Sequence, residues 1–241
     1  IMQEADPMWC PVTAVTVTSD CVNHATVTGL LALLAGKNAD GVIYFMSTYG
    51  ANDATFNGTN ANLVGLSDNA LTIQGGWNGT TTLNSAISYT GSSAFSVPLV
   101  ITNWTGNIFI NDITISNVSS TASLPVSTAG DITLDNVDVL NQTTSGLFTT
   151  ARNTAILTSA SGDITVQNGS SFDGSGRNQG FSATATSGSI SISDTNFQEA
   201  SGGLFADYNG ATLNAPTVTL TNVTTRNNDL NGIAITNANI V

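Results

Sequence analysis

The chain has 241 residues, a length at which β-rich folds often form one domain. Only 8% of the residues are charged, and 16 Asp and Glu against 4 Lys and Arg give a net charge of −12. This acidic balance excludes nucleic acid as a partner, because a phosphate backbone requires a basic footprint, and no run approaches the roughly 20 apolar residues that membrane insertion needs.

Residues 1–9 form an apolar and acidic tail that could donate a strand to another copy, with Ile1, Met2 and Trp9 as its apolar contacts. Cys10 and Cys21 follow and are the only two cysteines. A disulfide between them would add roughly 3 kcal/mol of stability, and the alternative is a pair of buried thiols. The bond would indicate an oxidising, extracellular compartment.

A helical period replaces the strand pattern between Asn23 and Gly36. Asn23 is the predicted N-cap and Gly36 the C-terminal stop of a helix. Its apolar side holds Val27, Leu30, Leu31 and Leu34. Solenoid ends are covered by such elements, so we predict an N-terminal cap over residues 10–61.

A buried strand is predicted next over residues 41–46, and residues 62–66 and 70–77 are expected to supply the first full coils. In the last of these, Leu71 and Ile73 take the inward positions of the first complete coils. Trp77 follows a Gly-Gly corner and is expected to fold over the neighbouring coil.

One short phrase then recurs: a turn residue, two aliphatic residues separated by a polar one, and Asn or Asp. Its first aliphatic anchors are Ile108, Ile132, Ile164, Ile190 and Val218. Strand repeats of this length, without helical period, predict a β-solenoid whose coils share one core. The closing Asn or Asp is either a simple turn former or part of a hydrogen-bonded ladder between coils.

A second phrase alternates with the first, which predicts at least two strand faces per coil. It begins at Gly146, Gly180, Gly203 and Gly232 and places Phe181, Ile233 and Ile235 in strands. Asn-Gly dipeptides suit the corners, because both residues tolerate positive φ. Their asparagines are at positions 57, 78, 168, 209 and 231.

From residue 10 onwards the order of motifs resembles bacterial cell-surface, adhesin-like proteins with right-handed parallel β-helix repeats, of the pectin-lyase-like fold group. The motifs are Cys-strand-helix, Val-Ile-Tyr-Phe, Leu-Thr-Ile-Gln-Gly-Gly-Trp-Asn and recurring Gly-Asp-Ile-Thr-Leu-Asp-Asn. The resemblance implies an all-β, right-handed parallel β-helix of about seven coils with a short N-terminal capping helix. It leaves function open, because the fold carries both enzymes and stalks.

Enzymes of that fold group use a basic residue beside acids, and few candidates exist here. His24 lies in or beside the cap helix, and a lone His is usually structural. Arg177 could approach Asp173 at one corner and, from adjacent coils, Asp194 or Asp207. We therefore expect no catalytic residues and no enzymatic activity.

No metal site or cofactor is predicted, although corner carboxylates could hold calcium. The scattered aspartates form no EF-hand or β-roll nonapeptide, and turn chemistry explains them better. They are Asp20, Asp68, Asp112, Asp131, Asp135, Asp138, Asp163, Asp173 and Asp194. An ice-binding Thr array is disfavoured, because the equivalent outward positions hold Phe109, Thr133, Thr165 and Ser191.

Ile240 aligns with the first anchor of a further coil, so residues 62–241 are expected to form coils that are open at the C-terminal end. An open end templates pairing with another chain. The predicted self-assembly residues are Ile1, Met2, Trp9, Ile233, Ile235, Ile240 and Val241.

These features predict a secreted structural protein, a subunit or segment of a cell-surface filament, sheath or adhesive stalk. Its partners would be other copies of itself, head to tail, and cell-surface glycans. The alternative is an extracellular β-helix protein that binds or cleaves polysaccharide.

Overall fold

The computed structural model describes residues 6–49, 54–116, 118, 122–140, 153–178, 180–200, 209–237 and 239–240. Within these ranges the chain has 22 strands and one helix, so it is nearly all-β as predicted. From residue 41 onwards the strands stack in parallel into a β-solenoid of about five turns. In the 7-stranded sheet, the five interior strands each have a neighbour on both sides.

The N-terminal elements are β1 (Met8–Pro11), β2 (Val22–Asn23), α1 (Val27–Leu33), β3 (Gly41–Met46), β4 (Thr48–Tyr49) and β5 (Thr55–Asn57). The following elements are β6 (Leu71–Trp77), β7 (Ser93–Phe95), β8 (Val100–Trp104), β9 (Ile108–Ser116), β10 (Ala122–Thr128), β11 (Ile132–Leu140), β12 (Asn153–Ser159), β13 (Ile164–Gln167) and β14 (Ser171–Asn178). The last are β15 (Phe181–Ala185), β16 (Ser189–Ser193), β17 (Asn196–Ala200), β18 (Ala211–Asn214), β19 (Thr217–Thr221), β20 (Thr224–Arg226), β21 (Ile233–Thr236) and β22 (Asn239–Ile240).

The strands form three stacks. The first contains β3, β6, residues 108–111 of β9, residues 132–135 of β11, β13, β16, β19 and β22. The second contains β4, β7, residues 113–116 of β9, residues 137–140 of β11, β14, β17 and β20. The third is the 7-stranded sheet of β5, β8, β10, β12, β15, β18 and β21.

The predicted anchors lie in register along the first stack. Ile132 pairs with both Ile108 and Ile164. Ile190 continues the row from Ile164, and Val218 continues it from Ile190. Leu71 precedes Ile108 and Ile240 follows Val218, also as predicted. The recurring phrase therefore gave the correct register.

The second phrase is only partly correct. Phe181 and Ile233 lie in the third stack, but both pair with Ala211, so β18 lies between them. On the side away from β18, β15 pairs with β12. The copies that begin at Gly146 and Gly203 lie outside the described residues. Small side chains such as Ala211 take inward positions here, and a search for aliphatic and aromatic residues passes over them.

One continuous core runs through the solenoid. Inward residues of all three stacks, together with residues of α1, belong to a single cluster of buried apolar side chains from Trp9 to Val218. Within it, the rings of Phe172 and Phe197 stack between turns with centroids 5.6 Å apart. Phe181, from the third stack, lies 4.7 Å from Phe172 and 5.2 Å from Phe197, so it joins the two faces.

The corner before the first stack repeats a glycine and a polar residue. A Cβ on Gly162 would lie 2.3 Å from the carbonyl carbon of Gly130, and one on Gly188 would lie 2.1 Å from the Gly162 oxygen. These stacked glycines form a column, and the polar residue after each glycine lies beside it. Asn107 Oδ1 accepts a hydrogen bond from the Asp131 backbone N–H at 2.9 Å. Asp131 Oδ1 accepts likewise from Asp163, and Asp163 Oδ1 from Ser189, at 2.8 and 2.7 Å. Each corner is thus bonded to the next.

The Asn or Asp that closes each first-stack strand is a turn former, and two pairs of these residues also form ladder bonds between turns. Asp112, Asn136, Asn168, Asp194 and Asn222 all have φ between 48° and 57°, the left-handed region in which these residue types are tolerated. Asn136 Nδ2 also donates to Asp112 Oδ1 at 2.7 Å, and Asn222 Nδ2 to Asp194 Oδ1 at 2.6 Å. These bends direct the chain from the first stack into the second.

The helix begins later than predicted. Thr26, rather than Asn23, is the N-cap, because its side chain accepts from the Gly29 N–H at 3.1 Å. Leu34 is the C-cap, and Gly36 has a φ of 79° beyond it. The start of the helix is tied to β4 by one hydrogen bond, in which the Val27 N–H donates to Tyr49 Oη at 3.0 Å. Within the described ranges, no helix is long and apolar enough to cross a bilayer.

A smaller apolar cluster lies outside the solenoid core at the N-terminal end. It contains Met8, Cys10, Val17, Cys21, Val42, Tyr44 and Trp77. Because Ile43 and Phe45 face the main core while Val42 and Tyr44 face this cluster, β3 is buried on both sides. That explains the unbroken apolar run from which a buried strand was predicted.

Candidate assembly edge and polar row

Three strands form the C-terminal end of the described solenoid. They are β20, β21 and β22, and each has one hydrogen-bonded neighbour. We call them the C-terminal edge. Ile233 aligns with Ala211 and Ile235 with Leu213 in the third stack. Ala211 and Leu213 are fully buried, whereas Ile233 and Ile235 are only partly buried, and nearby Leu230 is 56% exposed. The edge therefore presents inward-type apolar side chains to solvent.

The other predicted assembly residues are less defined. Ile240 lies in β22, and its backbone pairs with Val218 of β19. The side chain of Ile240 is not among the described parts of the chain, and neither are residues Ile1, Met2 and Val241. The structure brings Ile233, Ile235 and the Ile240 backbone to one edge.

Trp9 does not belong to that edge. It lies in β1, which pairs antiparallel with both β2 and β3 of its own chain. Its side chain is 1% exposed, and Lys37 Nζ lies 5.2 Å from the ring centroid. The assignment of Trp9 as a free assembly contact is therefore corrected, and β1 crosses the predicted boundary between residues 9 and 10.

Cys10 and Cys21 form the predicted disulfide. Both residues are buried, with 0% and 3% exposure, and they tie β1 to the start of β2. The segment between them also contacts a distant part of the chain, because Thr16 bridges to Ala86. The bond therefore fixes an N-terminal segment that packs against β3 and Trp77.

His24 has a structural environment. Its Nδ1 accepts from the Thr26 N–H at 3.2 Å, next to the N-cap of α1. Lys37 Nζ donates to the Asp20 carbonyl oxygen at 3.1 Å. The side chains of Arg152 and Arg177 lie outside the described residues, so the predicted approach of Arg177 to Asp173 and Asp194 is not described.

A row that sequence reasoning missed lies on the outer face of the second stack. Asp173, Gln198 and Arg226 are in register on β14, β17 and β20. Gln198 Nε2 donates to Asp173 Oδ2 at 2.8 Å, and Arg226 Nε donates to Gln198 Oε1 at 2.6 Å. An acid, an amide and a guanidinium thus follow one another along the solenoid axis. We call these residues the polar row.

Phe172 and Phe197 were the signal that could have revealed this stack, because each follows a turn and precedes a polar residue. The row was missed because the second stack was not distinguished from the bend after the first. Asn196 lies beside it, and its Oδ1 is buried without a partner among the described residues.

The carboxylates are used in bonds between turns. Asp135 Oδ2 accepts from both Gln167 and Asn168, at 2.9 and 2.8 Å, and Asp68 accepts a hydrogen bond from Thr105. In the part of the chain that the structure describes, no group of three or more His, Cys, Asp or Glu could hold a metal ion.

Among the described residues, two carboxyl groups have a raised pKa. Burial raises the pKa of Asp6 to about 6, although the Met46 N–H, 3.1 Å from its Oδ1, opposes the rise. Burial also raises the pKa of Asp138 on β11, against a hydrogen bond from the Ser171 backbone. Neither group belongs to the C-terminal edge or to the polar row.

Comparison with known proteins gave no match: no family model, no curated protein and no solved structure is significantly similar to this chain.

Proposed function

We propose that the protein is a secreted structural protein, a subunit or segment of a cell-surface filament, sheath or adhesive stalk. The observation that carries the proposal is the continuity of the core, which joins residues from Trp9 to Val218 in one cluster. A single core without a break makes the solenoid one rigid rod. Such a rod suits a spacer that holds its two ends apart, as stacked repeats do in elongated proteins.

The contacts between turns support the same role. Backbone bonds of three parallel stacks run along the axis, and side-chain bonds at the corners reinforce them. Hydrogen-bonded ladders of this kind add to the stability of stacked strands. The disulfide between Cys10 and Cys21 gives weak support for an extracellular location, because such bonds persist mainly in oxidising compartments.

The proposal includes a right-handed winding of about seven coils capped by α1. Right-handed crossovers are the strong preference for parallel strands in one sheet. The seven strands of the third stack support this count if each strand, including the two at the edges, is assigned to one coil. Val27, Leu30 and Leu34 of the helical segment are fully buried against the core, as side chains of a cap would be.

Assembly would use the C-terminal edge. We propose that it receives residues 1–5 of a second copy, whose Ile1 and Met2 supply apolar side chains next to Ile233 and Ile235. Five residues match the common length of a strand. Such a contact is heterologous, so repeated addition would give an open filament rather than a closed dimer.

Electron microscopy of the purified chain, with intact mass measured on the same sample, tests this proposal. Filaments are expected with an axial rise near 34 Å plus caps, from about seven coils at roughly 4.8 Å each. Ile235→Lys and deletion of residues 1–5 should each abolish them. Ser191→Lys, an exposed substitution on β16, is the matched control and should leave them intact.

Dispersed particles at high concentration, with a mass equal to one chain, would contradict assembly through this edge. Filaments that persist in both edge variants would show that another surface makes the contact.

The polar row favours a second candidate, an extracellular β-helix protein that binds or cleaves polysaccharide. Arg226 is exposed and Gln198 and Asp173 are half-buried, so the row offers donors and acceptors along an accessible line. Sugar hydroxyls pair with such groups.

A panel of soluble polysaccharides tests this alternative by binding and by release of reducing or unsaturated ends. Wild type should bind, Arg226→Ala should bind at least about tenfold more weakly, and Ser191→Ala should be unaffected. Equal binding by Arg226→Ala and wild type would remove the row from consideration.

A further inference from the structure

Five Asn-Gly pairs occur in the described residues, at asparagines 57, 78, 168, 209 and 231. This dipeptide is chemically labile, because the glycine nitrogen can attack the asparagine side chain with little steric hindrance. The five pairs share the same covalent chemistry. Differences in their reactivity must come from the fold.

In three pairs the attacking nitrogen is held in a bond between turns. The Gly58 N–H donates to the Thr102 oxygen at 2.9 Å, and the Gly169 N–H donates to the Asp194 oxygen at 3.0 Å. The Gly210 N–H donates to the Asn231 oxygen at 2.9 Å. Attack by any of these nitrogens requires the bond to break first, so the fold protects these pairs.

Asn78 lacks that protection. Within the described residues, the Gly79 N–H has no hydrogen-bond partner. Asn78 is exposed and follows β6, outside the three stacks. Its Oδ1 accepts from the Thr80 N–H at 3.2 Å, which holds the side-chain carbonyl over the Gly79 backbone. The same donor stabilises the negative charge that develops on this oxygen during attack.

Asn57 is a matched comparison. Its Oδ1 also accepts from the backbone two residues ahead, at 3.1 Å from the Thr59 nitrogen. The two pairs therefore share the side-chain geometry and differ in the glycine N–H, which is bonded in Gly58 and free in Gly79. Asn231 is intermediate, because its Nδ2 and backbone N–H both donate to Asn209 Oδ1, and these bonds tie its side chain to the neighbouring turn.

We infer that Asn78 is a site of spontaneous deamidation in the folded protein. Hydroxide removes the Gly79 amide proton, and the nitrogen forms a bond to the Asn78 side-chain carbonyl carbon. The bond from that carbon to its NH₂ group breaks, and the group takes up a proton and leaves as ammonia. Water then opens the succinimide ring at either carbonyl and gives Asp or isoaspartate. No electrons are exchanged with an oxidant or reductant.

The product changes the loop in two ways. It adds a negative charge to a chain with a net charge of −12. Opening to isoaspartate also adds one atom to the backbone next to Gly79, which has a φ of 80° and packs against the Met46 side chain. This modification does not depend on the proposed structural role.

Peptide mapping by mass spectrometry tests the inference. The intact, folded protein is held at mildly alkaline pH, and each of the five pairs is followed by its mass gain of about 1 Da. A parallel sample in concentrated denaturant gives the rate without the fold. The ratio of unfolded to folded rate is then the protection of each pair.

We expect a protection near one for Asn78 and of at least about fivefold for Asn57, Asn168 and Asn209, because a hydrogen bond must break in each. Asn78→Gln should remove the early product without changing the circular dichroism spectrum. Protection of Asn78 equal to or greater than that of Asn57 would overturn the inference.

Discussion

The N-terminal region and the central turns both contain buried apolar side chains, but they are held together differently. Between residues 6 and 49 each contact occurs once: one disulfide, one helix, and an antiparallel pairing of β1 with its neighbours. From β9 to β19 similar contacts recur in several turns: glycines pack on glycines, and carboxylates accept hydrogen bonds from amides. Loss of a unique contact should therefore loosen one segment, whereas a changed repeat position should disturb the turns on both sides.

The largest expected effect is in the central turns. Phe172→Ala removes a fully buried ring that contacts both Phe181 and Phe197, and it should lower the free energy of unfolding by about 4 kcal/mol. Denaturant unfolding followed by circular dichroism measures it. Phe109→Ala is the control, because Phe109 lies half-buried in an outward row, and its cost should stay near 1 kcal/mol. Similar losses for both would refute the three-stack core.

Gly162→Ala should follow, with a loss of about 3 kcal/mol, because the new Cβ would lie 2.3 Å from the Gly130 backbone in the preceding turn. Gly169→Ala separates crowding from backbone strain. Gly169 has a φ of 84° and nothing within 4 Å of an added Cβ, so its cost should be about 1 kcal/mol. Equal costs, measured by the same unfolding method, would show that the glycine column is not closely packed.

The disulfide tests the N-terminal region. Cys10→Ala with Cys21→Ala should cost roughly 3 kcal/mol, because the bond closes a loop between residues 11 positions apart. Limited proteolysis should then cut residues 11–20 first and leave the central turns resistant. Simultaneous cleavage in the central turns would mean that the two regions unfold together.

The smallest effect concerns Asp6. Its folded pKa of about 6 exceeds the ordinary 3.8, so its contribution to stability is complete below about pH 4 and is lost as the pH rises through 6. Asp6→Asn keeps an oxygen for the Met46 N–H but does not titrate, so it should gain stability over wild type between pH 4 and pH 7. Unfolding of both proteins across this range measures the difference, and a difference independent of pH would contradict the burial of Asp6.

The same contrast explains what could be predicted from the sequence. The anchors from Ile108 to Val218 were placed in register because a repeated contact leaves a repeated pattern. Thr26 was missed as the N-cap because Asn23 satisfies the same preference and nothing repeats to separate them. The second stack was missed because its strands continue β9 and β11 through one left-handed residue, without a glycine or proline to mark the bend.

The side-chain oxygens of Asn107, Asp131 and Asp163 have a consequence for how such a chain can change its length. Each accepts from the turn that follows, and each of these turns donates one N–H to the turn before. A turn inserted or removed between two such corners leaves no donor or acceptor unmatched. Whole turns are therefore interchangeable units at this corner, and duplication of a gene segment encoding one turn would extend the rod in a single event.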